Sequence, residues 1–444
     1  MNKIKYDMLL LCNRPVVNTN ADTILHHIDS FKMCPSFRIF ELSMIGEIPD
    51  SINLDRFDVL GIHYTLHLSS INNHYLSTKS MQRISEFQGL KCAWLHDEYQ
   101  NVNCVVDKLQ MMRIDTIFTL ASGKVKDVLY PKFKLPHARV ETVFAGYVHL
   151  SEKHPITSPS IKRDIDIGYR ARRPPFWLGE LGQEKIRIGL GIKERACNTK
   201  LVTDISVEEK DRLYGKRWDY FLRRCKTVLC VESGSSIIDF DGDVERMVKD
   251  EVLRNPSLTF SDIYDRRLKE IDWQWVINPI SPRVFEAAEA KTVMICFEGK
   301  YSEVIFPWKH YIPLKKDFSN INEVFTAIQN SSLLEEIANN AYKDLILAPD
   351  YSYAAFANQC NSVMYEEIYK RKTKIVNELD SYTIAEYRGK LNSSPYILYF
   401  DYIGQYLSRF LLGTNMRKLM IIIWYRLPLT LQDRIKPFLK VLGK

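Results

Sequence analysis

The fifteen residues from Ser281 to Ile295, SPRVFEAAEAKTVMI, hold a helix and a strand in succession. From Arg283 to Ala290 the apolar residues recur at helical spacing. From Lys291 the run turns β-branched and apolar, and it continues as CFEGKYSE. Arg283 and Glu286 lie three apart, so they share a helical face. They fall at the start of that helix, where the chain enters from the NPISP loop. A short helix feeding an apolar strand is part of a βαβ unit, and it makes the chain an α/β protein.

The same alternation extends in both directions. Upstream lie the strands DIDIGYR (164–170), TKLVTDIS and KTVLCVESGSS (226–236), then a helical stretch over 243–270. Downstream come HYIPLKKD (310–317) and helices over 319–345 and 351–372. The first 150 residues repeat the theme with YDMLLLC (6–12), FRIFEL, FDVLGIHY (57–64), LKCAWLH (90–96), IDTIFTL (114–120) and ARVETVF (138–144). Helices are predicted between them, near 101–112 and 122–130 among others. The strands are apolar on both faces, as a sheet covered by helices requires. The segment 150–163, with Pro155, Pro159 and several Ser/Thr, reads as a linker.

The predicted fold is therefore two Rossmann-like domains facing across a cleft, with a C-terminal helical extension. Their bounds are 1–150 and 160–345. A helix over 346–372 crosses back to the first domain, and a basic, aromatic tail covers 373–444. Ligands in such sheets bind beyond the carboxyl ends of the strands, so function is expected in the loops that leave those ends.

Composition narrows the classes. With 444 residues, 46% hydrophobic and 26% charged, the chain can bury two or three full cores and is not a disordered protein. A net charge of +7 is mild, and no Lys/Arg cluster interleaved with aromatics marks a nucleic-acid motif. No nucleic-acid partner is expected. The nine cysteines include no C-x-x-C pair and read as free thiols in a reducing compartment. The apolar run at the N-terminus is too short for a signal peptide, and no run reaches the roughly 18 apolar residues of a spanning helix. A cytoplasmic location follows as an expectation. P-loop, G-x-S-x-G and G-x-G-x-x-G signatures are lacking, which disfavours P-loop NTPases, α/β-hydrolases and dinucleotide dehydrogenases.

Several clusters could carry chemistry. A helix N-terminus at Arg283 would favour an anion, an arginine there could bind phosphate bidentately, and Glu286 could accept two hydroxyls of a diol. The alternative is a plain Arg–Glu surface pair. Arg170, Arg172 and Arg173 follow the strand 164–170 and could clamp a diphosphate, or form an exposed basic loop. LHDEYQ (95–100) places His96, Asp97 and Glu98 at a strand's carboxyl end, where a base could take a hydroxyl proton; alternatively Asp97 caps the next helix. His63 ends another strand of the same half. Its i+4 partner His67 lies in strand and loop, so a helical zinc pair is not expected. Glu232 and Ser235 sit in a Gly/Ser loop whose N–H groups could cradle phosphate or form an ordinary turn. DFDGD (239–243) is the nearest approach to a carboxylate metal motif, and no metal site is expected.

RVFEAAEAKTVMI, with the following GKYSEVIFPWKHYIPLKKDFSNINEVFTAI, resembles the donor-binding part of GT-B glycosyltransferases, in the branch with the pattern R-x-F-E-x-x-A-x-G. The resemblance covers about 165–345. It implies Glu286 as the ligand of the nucleotide ribose and Arg283 as a phosphate or structural partner. Arg170, Arg172, Glu232, Ser235 and Tyr301 stand with them on the donor side. Where many retaining members carry a second Glu, eight positions earlier, this chain has Asn278. Where the pattern has A-x-G it has Glu289-Ala290-Lys291.

The implied function is transfer of a sugar from a nucleotide-sugar donor to a polysaccharide or lipid-linked acceptor in bacterial surface-glycan (O-antigen or capsule) synthesis, with no cofactor beyond the donor substrate. Asp97 is the leading base, ahead of Glu98, His96 and His63. A non-catalytic nucleotide- or glycan-binding protein of the same layout, or a sugar epimerase, is the alternative. The tail's Trp, Tyr, Arg and Lys residues would suit an anionic membrane surface at the inner face of the plasma membrane, or packing on the protein itself.

Overall fold

The computed structural model describes residues 6–16, 20–149 and 162–371. The linker 150–161 and the tail from 372 onward lie outside the described residues. The first sheet contains β1 (Tyr6–Cys12), β2 (Phe37–Ser43), β3 (Val59–Ile62), β4 (Leu90–Trp94), β5 (Thr116–Thr119) and β6 (Arg139–Thr142). Its spatial order is β2-β1-β3-β4-β5-β6. The second contains β7 (Ile165–Arg170), β8 (Thr203–Ser206), β9 (Cys225–Cys230), β10 (Val293–Phe297) and β11 (Tyr311–Leu314), in the order β11-β10-β9-β7-β8. Every strand pairing is parallel. The protein is α/β, with two doubly wound sheets. Each sheet reverses direction beside its first strand, between β1 and β3 and between β7 and β9. Loops diverge there and open a crevice at the carboxyl ends.

Burial explains the apolar runs. All residues of β3, β4 and β10 are buried, because helices cover both faces of each sheet. The packing leaves no room at Gly61: a Cβ there would come within 2.4 Å of the Met8 side chain and 2.9 Å of Trp94. The Trp94 ring in turn stacks on Phe118 at 4.8 Å.

The first half carries α1 (Asp22–Ser30), α2 (Thr78–Glu86), α3 (Val102–Met112) and α4 (Lys124–Leu129). The second carries α5 (Gly179–Ala196), α6 (Lys216–Arg224), α7 (Asp243–Arg254), α8 (Phe260–Ile263), α9 (Pro282–Glu289), α10 (Ile321–Gln329) and α11 (Ser331–Ala341). Two predicted helices are broken. The stretch 243–270 stops after Arg254, because Pro256 cannot continue a helix, and restarts at the Thr259–Asp262 capping box. The stretch 319–345 divides at Asn330, whose side chain accepts from Leu333 N at 3.1 Å to start a new helix.

Two further crossings join the halves. The chain returns through a bridge in which Val148 N donates to Tyr351 O (2.7 Å) and Tyr353 N to Val148 O (3.0 Å). It then forms α12 (Tyr353–Arg371), whose Phe356, Cys360 and Met364 are buried against the first sheet. The second crossing is a strap over 238–243. Asp239 N donates to Tyr99 O at 2.8 Å, and Asn103 N donates to Phe240 O at 2.9 Å. Ile238 enters the hydrophobic core of the first half. Asp239 accepts the N–H groups of Val244 and Glu245, capping α7.

Candidate active site

The second half supplies a cationic wall. Glu286 lies on α9, where the indole N–H of Trp218 donates to its Oε2 at 2.8 Å. Burial raises the Glu286 carboxyl above the usual range, while the Trp218 bond and the Arg283 charge work the other way. Asp22, on α1 of the first half, is near enough to add to the rise, so this carboxyl faces the other half. Its second oxygen makes no hydrogen bond among the described residues.

Arg283 donates from Nη2 to Arg170 O at 2.6 Å. Its guanidinium lies 5.1 Å over the Tyr169 ring and 5.2 Å over that of Trp218. Tyr169 and Trp218 therefore orient Arg283 without neutralising it. The first turn of α9 has no side-chain cap and starts with Pro282, so among the described residues the N–H of Arg283 is left for an anion.

Lys185 is the site residue that sequence reasoning missed. It lies in the second turn of α5, the helix that follows β7. Closely surrounded, it loses hydration, which pushes its ammonium down to about 8. Arg172 and Arg283 add to that fall and Asp97 opposes it. Arg172 is exposed on the loop after β7. Neither Arg172 nor Lys185 forms an ion pair among the described residues. Arg172, Lys185 and Arg283 thus converge, with Glu286 beside Arg283 and Asp97 acting on Lys185 from the other half. A lysine in an amphipathic helix carries no local mark. Its only signal was its position soon after the first strand of a second doubly wound half.

The first half supplies a carboxylate and an imidazole. Asp97, just past β4, is exposed and has φ of 55°. Left-handed backbone is uncommon for a non-glycine residue and concentrates where a side chain must be aimed. Tyr99 Oη donates to Asp97 Oδ1 at 2.7 Å. Asp97 does not cap α3: the residue before that helix is Asn101, which makes no side-chain cap bond. His96 stacks on Tyr64 at 3.7 Å, and its Nε2 has no hydrogen-bond partner among the described residues. Burial lowers its pKa to about 4, so the ring is neutral at physiological pH.

Other expected site residues have a different setting. Glu98 is 5% exposed and points into the core, where it accepts from Leu120 N at 2.7 Å and from the hydroxyls of Thr119 and Tyr130. Its backbone leaves a strand end, but its side chain does not reach the cleft. His63 is fully buried, with Nε2 2.9 Å from His27 Nδ1 and Nδ1 2.9 Å from Thr65 Oγ1.

Arg170 turns to the flank of the second sheet. It pairs with Asp204 at 2.7 Å and lies 4.4 Å over Phe221, so its charge is already matched. Ser235 is fully buried, its hydroxyl lying 2.6 Å from Ile237 O and 3.0 Å from Leu178 O and accepting from Ile237 N at 3.1 Å, which makes it a turn residue.

Glu232 Oε1 accepts from Asn278 Nδ2 (3.0 Å), Lys300 N (3.2 Å) and Tyr301 N (2.8 Å). It anchors the loop after β10, in which Tyr301, Ser302 and Glu303 are all left-handed. Tyr301 itself is buried and donates its hydroxyl to Phe297 O at 2.6 Å. Glu232 and Tyr301 therefore shape the rim of the cleft from beneath.

Among the described residues no three His, Cys, Asp or Glu side chains are grouped as metal ligands, and no helix is long and apolar enough to cross a membrane.

No protein-family model matches the chain, and no curated protein matches it. Solved structures similar to it include HepE from Anabaena in complex with UDP-glucose, at 10% identity and a TM-score of 0.44, covering 82% of this chain and 100% of that one. Sucrose-phosphate synthase from Thermosynechococcus elongatus is similar at 8% identity and a TM-score of 0.44, covering 83% and 100%. TarM is similar at 13% identity and a TM-score of 0.37, covering 74% and 56%. At these values no residue of this chain takes a role from theirs.

Proposed function

We propose that the protein is a glycosyltransferase of the GT-B kind, which takes a nucleotide-sugar on its second half and a glycan or lipid-linked acceptor on its first. One observation carries the reading: Arg172, Lys185 and Arg283 converge at the switch point of the second sheet, beside a carboxylate held by an indole, with Asp97 opposite. Such a cluster fits a ribose diphosphate. The carboxylate takes the diol, and three cations with the α9 N-terminus offset the charge that builds on the leaving diphosphate. Asp97 takes the proton of the attacking hydroxyl. Glu286 and Arg283 keep the donor roles implied by their motif, Lys185 takes the place intended for Arg170, and Glu232, Ser235 and Tyr301 support the loops. The acceptor class we favour is a bacterial surface glycan. The basic aromatic tail would hold the enzyme at an anionic membrane surface from the cytoplasmic side.

The test is a melting-temperature screen against UDP-, GDP-, dTDP- and CMP-sugars. The right donor at about 100 Kd should add roughly 2.7 kcal/mol of stability. Absence of a shift with every nucleotide, or a shift that survives Glu286→Ala, would overturn the reading. Slow donor hydrolysis without acceptor would separate an enzyme from a binding protein.

A further inference from the structure

Three imidazoles gather at the carboxyl end of the first sheet. His63 follows β3, His96 lies just past β4, and His27 comes from α1. The Tyr64 ring is 4.0 Å from that of His63 and 3.7 Å from that of His96. Two rings that close cannot share one face, so Tyr64 lies between them. His27 stands edge-on beside this stack, 4.9 Å from His63 and 5.7 Å from His96 by ring centres. It touches both outer rings.

The hydrogen bonds fix where the protons sit. A backbone N–H can only donate, and Thr65 N donates to His63 Nδ1 at 3.2 Å, capping the short 3-10 turn Tyr64–Leu66. Thr65 Oγ1 accepts from Asn13 N at 2.9 Å and lies 2.9 Å from the same ring nitrogen. Burial pushes all three imidazoles down, so each is neutral and carries one ring proton. His63 therefore holds its proton on Nε2 and donates it to His27 Nδ1 at 2.9 Å. His27 must then carry its own proton on Nε2. That N–H is buried and has no partner among the described residues.

His96 offers the complementary group. Its Nε2 is also buried and without a partner among the described residues. The other rings against His27 belong to Phe31, Tyr64, Tyr353 and Phe356, and the Tyr353 hydroxyl already donates to Thr23 O at 3.1 Å. A buried N–H left without an acceptor costs about 1–3 kcal/mol, so an orphaned donor and an orphaned acceptor on touching rings stabilise each other when joined. The His96 residue is only partly buried, and Nδ1 is the ring nitrogen that is not shut in.

We propose that Thr65, His63 and His27 form a relay that ends on His96 Nε2, directly or through one water, and so fixes the His96 proton on Nδ1, beside Asp97. His96 is then an uncharged N–H donor to an oxygen of the bound sugar, and the base is Asp97. Thr65, His63 and His27 are positioning residues. The part played toward sugar rests on the glycosyl-transfer reading above; the placing of the proton does not. Long-range proton–nitrogen NMR of the full-length protein, made with isotope-labelled histidine, reads which nitrogen of each ring is protonated. His63 and His27 should be protonated on Nε2 and His96 on Nδ1, the rarer form of a free imidazole. In His27→Phe the His96 proton should move to Nε2, and donor hydrolysis should slow roughly tenfold with the donor KM unchanged. If that variant does not fold, His63→Phe breaks the relay one ring earlier and is read in the same way. A wild-type His96 protonated on Nε2, or one that keeps its Nδ1 proton after the relay is broken, would overturn the proposal. Protons placed as expected in a protein that binds no nucleotide would instead sink the transferase reading and leave the relay standing.

Discussion

The indole N–H of Trp218 holds Glu286 Oε2 at 2.8 Å, and the same indole ring lies under the Arg283 guanidinium. One side chain from α6 therefore sets both Arg283 and Glu286 on α9. Trp218→Phe keeps the ring and removes the donor. Its cost in stability should be about 1 kcal/mol, that of one hydrogen bond. Donor affinity should fall roughly tenfold, because the carboxylate loses its orientation. Calorimetric titration with the nucleotide diphosphate checks this, and unchanged affinity would detach Trp218 from the site.

In the proposed donor site, Lys185 should give binding a pH dependence. Its ammonium is depressed to about 8, so it is charged below that pH and neutral above it. A diphosphate favours the charged form. Affinity should therefore be flat below pH 7.5 and fall above pH 8, at up to about tenfold per pH unit. Lys185→Met should bind more weakly throughout and lose that slope. A wild-type profile flat to pH 9.5 would remove Lys185 from the diphosphate.

Glu98 gives the fold a pH dependence from the same cause, burial. Burial raises its carboxyl to about 7 from an unfolded value near 4.5. The folded state holds that proton more tightly, so the stabilisation is complete below pH 4.5 and is lost as the pH rises to 7. The slope is about 1.4 kcal/mol per pH unit at most. Glu98→Gln carries no such proton. Urea midpoints for the variant should gain on those of the wild type between pH 5 and pH 7.5. Parallel curves would show that Glu98 stays ionised in the core.

Asp239 ties the strap to α7 through the N–H groups of Val244 and Glu245. Asp239→Ala should cost about 1–2 kcal/mol, as a lost helix cap does. Chemical denaturation measures it, and a cost below 0.5 kcal/mol, about that of an ordinary surface change, would make the cap incidental.

The two-sheet fold was legible because parallel strands buried on both faces leave apolar runs such as YDMLLLC and KTVMICF, and such runs survive in one dimension. Arg283 and Glu286 were legible for a similar reason: they stand out beside one of those strands. Lys185, Trp218 and the setting of Glu98 were not. Glu98 finds its partners 21 and 32 residues away, at Thr119 and Tyr130, and Trp218 finds Glu286 68 residues on. Whether a strand-end carboxylate looks into a cleft or back into the core depends on its rotation past the strand, and composition does not record that. His96, Asp97 and Glu98 are consecutive in LHDEYQ, and the fold divides them between three environments.

The strap has a consequence for how the chain can be divided. A residue of the second half, Ile238, completes the core of the first, and α12, which comes last among the described elements, completes it again from the other face. A cut within 150–161 would therefore nick the molecule without releasing two pieces. Neither 1–150 nor 160–345 expressed alone would own all the apolar surface that the other half and α12 supply to it.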